Sequence, residues 1–582
     1  MAKTKLKSIE IKNFRAIGSK GVTVDLDDIV ILVGPNNSGK SSILRAYQVA
    51  MLDGSDECQL TVEDFPNHDI SSPNKPEIIL RTVVDPSDLP SDKWVSDEGE
   101  EKVVKERWIW DSPGKPKRVG YLVKEGRWAN DSDSEKVPWG AANVSKSRRP
   151  QPHKIDAFDP PDVQSKAIIG LIDEALDKKI KDIIKDKGDD SAFGKLISSI
   201  KQIQKTIVEE TNDVIESFES KLSKELSNIF PNYTVKYDAK PEEGIEDSIS
   251  FFKADANLYV GPKSGHLSSI ENQGSGAKRT ILWAALKMLA DEGYKVKALK
   301  TKTKTEKCDN GRPNVLLIDE PEICLHPSAV RLACDVLYNL PKAGNWQVIA
   351  TSHSPIMIDY TRDNTTIVRV ERELGGEIEG STLFRPSQAS LGEDDKENLK
   401  LLNMCDPYLS EFFFGGKPII VEGDTEYAAF SYIISQEGDT YKDIQVLRAR
   451  GKATIVSLCK ILNQFKKPYS VLHDTDSKMC IRKSDGAEIK NPAWSTNENI
   501  LNEVAKSETA VNLVASLGTF ETAYFDKKLS SEKPYSTILK IKQSQDDYNK
   551  IKALLDYLAG KSSNLPSGAI TYSSMEELET KV

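Results

Sequence analysis

Cysteine is scarce: seven in 582 residues, an odd count with no C-x-x-C pair, which argues against a disulfide framework or a zinc site. No run of about eighteen apolar residues occurs, so no membrane span is expected. The opening Met1-Ala2-Lys3-Thr4-Lys5 leads straight into a strand pattern rather than a secretory signal. A cytoplasmic chain with no membrane partner is the expectation. Cys324 and Cys459 are expected to serve packing.

Basic charge is also in deficit. Lys plus Arg number 79 against 89 Asp plus Glu, giving a net charge of −10 and a pI near 5.5. Whole-chain charge bears on solubility, whereas phosphate binding needs only a local positive patch, so nucleic acid stays open as a partner. Candidate patches are Lys146, Arg148, Arg149 and Lys154; Arg448, Arg450 and Lys452; and Lys466 with Lys467. Each also reads as ordinary solvated surface. Hydrophobic residues at 38% and charged ones at 29% describe a soluble globular chain, and its length suggests roughly four domain-sized units. There is no internal repeat.

What is present begins at the apolar run Ile29–Val33, which feeds Gly34-Pro35-Asn36-Asn37-Ser38-Gly39-Lys40-Ser41 and then Ser42. This is a complete phosphate-binding loop: glycines turn backbone N–H groups toward phosphate, Lys40 reaches the β and γ phosphates, and Ser41 ligates Mg²⁺. Far along the chain, Val315 to Ile318 precede Asp319-Glu320-Pro321. Asp319 is expected to hold the metal's hydration shell and Glu320 to act as base toward the attacking water of ATP hydrolysis. A further strand, Trp346 to Ala350, delivers Thr351-Ser352-His353, where His353 is placed to sense a γ-phosphate.

The C-terminal third carries paired acids. Pro418–Val421 precede Glu422-Gly423-Asp424-Thr425-Glu426, and Tyr469–Leu472 precede Asp474-Thr475-Asp476. Runs this apolar read as buried parallel strands, whose C-terminal edge is where open α/β sheets build sites. Acids converging there suit a divalent metal. Asp474 and Asp476, two apart on extended chain, are expected to project to one side. The bland alternative is a pair of acidic loops, with Asp424 or Thr425 capping a helix.

Between these regions, Arg107–Trp110 and Gly120–Val123 look like strands joined at Ser112-Pro113-Gly114, a β arm continuing an N-terminal sheet. Apolar residues at helical spacing run from Ile169 to Ile183, Leu196 to Ile207 and Ile215 to Ile229. These helices suit dimerisation, or burial against their own ATPase. Six lysines from Lys295 to Lys307 read as an exposed link, with nucleic-acid contact the sharper reading. Residues 387–403 are expected to carry the chain from the ATPase to the acid-rich unit.

The phosphate loop, the Asp319-Glu320 strand, His353 and the opening Ile9–Arg15 together resemble the ABC-type ATPases of the RecF, SMC and Rad50 group. That resemblance implies a signature motif completing the ATP site of a second subunit, and Gly274-Ser275-Gly276 is the candidate. Its order departs from the usual Ser-Gly-Gly, and Lys278 stands where glutamine is usual. The E-G-x-x-E and D-x-D clusters resemble a Toprim domain. An ABC head followed by Toprim is the layout of the overcoming lysogenization defect (OLD) family, which includes the nuclease subunit of the Gabija antiphage system.

That family likeness implies an α/β fold: an ABC-type head with β arm and helical insertions, then a C-terminal Toprim domain. The boundaries expected are 1–164 (β arm about 93–150), 165–232 for the helical insert, 233–400, and 401–582. It implies ATP with Mg²⁺ at the head, and Mg²⁺ or Mn²⁺ shared by Glu422, Glu426, Asp474, Asp476 and Glu521, with Lys533 stabilising charge near a scissile phosphate. It further implies DNA cleavage in phage defence, a homodimer or larger homo-oligomer, and a second subunit or nucleic-acid component. Two rival readings are an ATP-switched DNA-binding scaffold with a non-catalytic Toprim unit, and a tyrosine transesterase, for which no cleavage-reunion domain is recognisable.

Overall fold

The computed structural model describes residues 4–51, 58–140, 148–155, 199, 259–260, 267–291, 313–343, 346–359, 362, 364–372, 376, 378–385, 391–465, 468–482, 487–525 and 532–582. The chain divides into two compact units, residues 1–159 with 307–582, and residues 160–306. The proposed helical insert at 165–232, apart from residue 199, and Lys146, Lys466, Lys467 and the lysines from 295 to 307 lie outside the described residues.

In the larger unit, β1 (Lys5–Lys12), β2 (Val22–Asp25), β4 (Glu77–Val83), β5 (Val95–Glu98), β6 (Glu101–Ile109), β7 (Lys117–Leu122) and β8 (Arg127–Trp128) form an antiparallel sheet. Its order is β2-β1-β4-β6-β7-β8, with β5 beside β6. The arm strands β6 and β7 pair around the Pro113-Gly114 turn, and β6 pairs β4 of the N-terminal sheet. Trp108 and Trp110 are buried in the core shared with the Lys40–Met51 helix.

The second sheet has the order β15-β14-β3-β13-β12-β9, built from β3 (Ile29–Val33), β9 (Gln151–Ile155), β12 (Asn314–Ile318), β13 (Trp346–Thr351), β14 (Thr365–Arg372) and β15 (Ile378–Phe384). All neighbours are parallel except β14 and β15. Every residue of β3, β12 and β13 is buried, which is why these strands read as unbroken apolar runs.

The C-terminal sheet runs β17-β16-β18-β21-β22, from β16 (Lys417–Val421), β17 (Ile444–Arg448), β18 (Tyr469–Asp474), β21 (Val511–Ser516) and β22 (Ala569–Thr571), only β22 being antiparallel. A small hairpin, β19 (Met479–Ile481) with β20 (Glu488–Lys490), follows β18. The β16 and β18 strands are neighbours, so the two acid clusters leave the sheet side by side. The resulting architecture is an α/β unit with an antiparallel arm sheet, followed by an α/β domain built on a mostly parallel five-stranded sheet. In the smaller unit, the short strands β10 (Tyr259–Val260) and β11 (Ser268–Ser269) pair ahead of a helix over Ser275–Asp291.

Candidate nucleotide and metal sites

The phosphate loop sits between β3 and the Lys40–Met51 helix. Lys40 is buried and donates to the carbonyls of Gly34 at 3.0 Å and Pro35 at 2.8 Å. Burial pushes its ammonium below the usual lysine range, opposed by Glu320, Asp319 and Glu322. The Ser41 hydroxyl lies 2.9 Å from Asp319 Oδ2, and Thr351 donates to Asp319 Oδ1 at 2.5 Å. A hydroxyl beside a carboxylate is the hard-oxygen donor set that suits Mg²⁺. The Ser38 hydroxyl is buried in the loop with no hydrogen-bond partner, a donor suited to phosphate.

Gly34 has φ of 140°, and a Cβ there would come within 2.0 Å of the Val370 carbonyl oxygen. Gly34→Ala should therefore displace the loop from β14 and destabilise the chain by at least ~2 kcal/mol. A fall in melting temperature together with lost nucleotide binding is the expected measurement; unchanged values would show that the loop accommodates the methyl group.

Glu320 has a φ of 46°, and its backbone N–H donates to Thr351 Oγ1 at 2.9 Å. Its carboxylate stands 3.6 Å from His353 Nε2. Burial, with Lys40 nearby, lowers the His353 pKa, which favours the neutral imidazole. Glu322 went unnoticed in the sequence, although it lies two residues after Glu320. It accepts from the His353 N–H at 2.7 Å and the Ser352 hydroxyl at 2.9 Å, pinning the end of β13 to the turn after β12. Cys324 corrects an expectation: it is exposed, at φ 60°, in that turn. Cys459 is buried. In the smaller unit, Gly274 precedes the Ser275–Asp291 helix, which thus begins at the expected signature, and Lys278 turns back to donate to the Glu271 carbonyl at 2.8 Å.

At the acid cluster, Gly423 caps the Asp424–Gln436 helix with no side-chain contribution, so neither Asp424 nor Thr425 serves as its cap. Asp424 instead accepts from Arg448. Glu422 Oε2 accepts the Asp474 backbone N–H at 3.0 Å. Asp474 is half-buried, its Oδ1 is buried with no hydrogen-bond partner, and desolvation together with Glu426, Glu422, Asp476 and Glu521 pushes its carboxyl to about 9. Burial, with Glu422 and Glu521, likewise pushes Glu426 to about 7. Glu422 is raised by burial, partly offset by Lys452. Acids held near one another and out of water carry this electrostatic cost, which a bound cation would relieve.

Two acids are already neutralised by lysines. Lys533 Nζ is 3.1 Å from Glu521 Oε1; burial raises the Glu521 carboxyl, but this contact and further hydrogen bonds leave it lowered. Thr425 also donates to Glu521 Oε1, at 3.2 Å, which links the first acid turn to the third. Asp476 pairs with Lys452. Asp476 also departs from the extended chain expected of it: β18 ends at Asp474, and Asp476 has φ 60°. A left-handed turn, held by Asp476 N–H donating to the Gly518 carbonyl at 3.0 Å, aims its carboxylate rather than strand alternation. Among the described residues, no three His, Cys, Asp or Glu side chains are gathered closely enough to close around one ion.

The patch of Arg448, Arg450 and Lys452 does not stand as read. Arg448 is paired with Asp406 and Asp424, each at 2.9 Å, Lys452 is buried, and Arg450 alone is exposed. In the first patch Arg148 pairs with Asp88 at 2.6 Å, and Arg149 is fully buried over the Trp108 ring. Among the described residues of these patches, Arg148, Arg448 and Lys452 each meet a carboxylate and Arg149 an aromatic ring. No helix among the described residues is long and apolar enough to cross a membrane.

Comparison with known proteins follows this division. Residues 5–90 and 159–358 match the family described as AAA ATPase domain. Residues 413–476 match "Overcoming lysogenization defect protein-like, TOPRIM domain". The Old nuclease of Escherichia phage P2 is 24% identical over 570 residues, covering 94% of this chain and 89% of that protein. The OLD nuclease of Thermus scotoductus is 22% identical over 563 residues, covering 91% and 93%. Among solved structures, an SMC head bound to the C-terminal winged-helix domain of ScpA superposes with a TM-score of 0.35 at 17% identity, over 65% of this chain and 98% of that one. Both domain matches occur in that order on one polypeptide, so this chain joins an AAA ATPase domain to an overcoming lysogenization defect protein-like TOPRIM domain, and it is similar along most of its length to the phage and Thermus OLD nucleases.

Proposed function

We propose that this chain is an ATP-binding and ATP-hydrolysing, divalent-metal-dependent DNA endonuclease whose cleavage is gated by nucleotide, acting in defence against phage. The observation that carries the nuclease reading is the buried, unpartnered Asp474 carboxylate oxygen with four further acids around it. Mg²⁺ or Mn²⁺ bound there supplies Lewis acidity and activates water for attack on a phosphodiester. Glu422 orients the β18 edge through the Asp474 N–H, Glu426 and Asp474 present oxygens, and Lys533 brings positive charge for the scissile phosphate beside Glu521. At the head, Ser41 and Asp319 would hold Mg²⁺, Lys40 would contact the phosphates, and Glu320 would accept the proton of the attacking water. Both relatives are named as nucleases, which agrees with this reading. Homodimerisation through Gly274-Ser275-Gly276, and a second defence subunit, belong to the same proposal.

A connected set of contacts supports gating. The phosphate loop is held by β14 and β15: Arg372 donates to the Asn37 carbonyl at 3.1 Å, and a Cβ on Gly39 would lie 2.7 Å from Ile378 Cδ1. At the far end of β15, Phe384 packs on Phe413, which packs on Phe465. The Arg385 N–H donates to Gln464 Oε1 at 3.2 Å. Gln464 and Phe465 end the helix Lys452–Gln464, whose first residue reaches Asp476. Phe465→Leu keeps the site apolar and removes the ring contacts. It should leave ATP turnover and basal cleavage near wild type while reducing ATP's effect on cleavage by about 0.5–2 kcal/mol of coupling. Plasmid cleavage at zero and saturating ATP measures it; a full ATP response would place the coupling elsewhere.

The scaffold reading draws on the Lys452–Asp476 and Lys533–Glu521 pairs, which occupy two of the five acids. Incubating the purified chain with plasmid and Mg²⁺ or Mn²⁺ separates the two: retarded but uncut DNA would favour the scaffold.

A further inference from the structure

Lys452 read from sequence as surface charge; in the fold it is buried, its side chain only 5% exposed. It opens the Lys452–Gln464 helix directly after Gly451, whose N–H donates to the Glu422 carbonyl at 3.0 Å. An ammonium taken out of water needs all three N–H groups satisfied. Here three oxygens surround it: Asp476 Oδ2, Asn497 Oδ1 at 2.9 Å and the Ala493 carbonyl at 3.3 Å. Asn497, itself fully buried, donates onward to the Thr475 carbonyl at 2.9 Å. The Thr475 hydroxyl in turn accepts the Gly518 N–H at 2.8 Å, at the start of the turn that leads to Glu521.

Lys452 and Asn497 therefore hold the D-x-D turn from its inner side, and the ammonium has no donor left for phosphate. We infer that Lys452 is a positioning residue of the carboxylate site, fixing Asp476 in its left-handed turn so that the other carboxylate oxygen is available to a divalent cation. This rests on the metal-site reading proposed above. Hydrogen-bonding partners behind a ligand orient it, and their loss typically costs about 10–100-fold in metal affinity.

The sign of the effect separates positioning from simple charge. Removing a cation from beside carboxylates would by Coulomb's law tighten binding of Mn²⁺; removing a positioning residue weakens it. The test uses the full chain with Mn²⁺ alone as probe, free ion being followed by electron paramagnetic resonance. Lys452→Met is expected to weaken Mn²⁺ binding about 10–100-fold, with ATP turnover near wild type and the fold retained. In an Asp476→Asn background the same change should have little further effect, because residues acting through one another are non-additive. Lys452→Gln is the second variant and should weaken binding in the same direction.

Unchanged or tighter Mn²⁺ binding, or full additivity with Asp476→Asn, overturns the inference. Loss of folding in both Lys452 variants, read from circular dichroism and ATP turnover together, assigns the residue to fold stability and also overturns it. A wild-type chain that binds no Mn²⁺ defeats the metal-site reading itself, which keeps the two failures distinguishable.

Discussion

Asp474→Ala should lower DNA cleavage by roughly three orders of magnitude or more while leaving ATP hydrolysis within about twofold of wild type. Asp474 is the most perturbed acid of the cluster, with one oxygen buried and unpartnered, so its loss removes the group that most needs a cation. Glu422→Ala should act similarly, because Glu422 both faces the cluster and holds the Asp474 N–H. Asp474 ends β18 and Glu422 directly follows β16 of the C-terminal sheet, whereas the phosphate loop follows β3 of the other, mostly parallel sheet. Wild-type cleavage in both variants would remove the nuclease assignment.

A second large effect divides binding from hydrolysis at the head. Lys40→Ala should lose nucleotide binding, since the buried ammonium is the loop's cation beside Asp319 and Glu320. Glu320→Gln should bind ATP with near-normal affinity and hydrolyse it about 10²–10⁴-fold more slowly. The amide preserves shape but cannot accept the water's proton. Equilibrium binding of a fluorescent ATP analogue, set beside phosphate release, checks both. Rapid turnover by Glu320→Gln would shift the base to another group, with Glu322 and His353 the nearest alternatives on the same two strand ends.

Much of the framework is legible in sequence, for a physical reason. Strands β3, β12, β13, β16 and β18 are buried in parallel sheets and so are written as continuous apolar runs, each stopping where a site begins. The Gly34–Ser41 loop and the Asp319, Glu422 and Asp474 positions follow directly. The β6–β7 pairing is marked by its Pro-Gly turn.

Long-range partners are not legible. Nothing local tells Lys452 that Asp476, 24 residues on, and Asn497, 45 residues on, will enclose it. The same holds for Arg448, which meets Asp406 and Asp424 rather than solvent. Asp476 follows the strand and so looks extended; only the fold reveals its left-handed turn. Cys324 is apolar enough to suggest core, yet the tight turn after Glu320 carries it outward.

The nuclease claim meets its most direct test in supercoiled plasmid incubated with the wild-type chain in Mn²⁺ or Mg²⁺, and in matched samples containing EDTA. The expected result is nicked and linear DNA with either or both ions and intact plasmid once the ion is chelated. Cleavage that persists in EDTA, or plasmid left uncut with both ions at every ATP concentration, would contradict it.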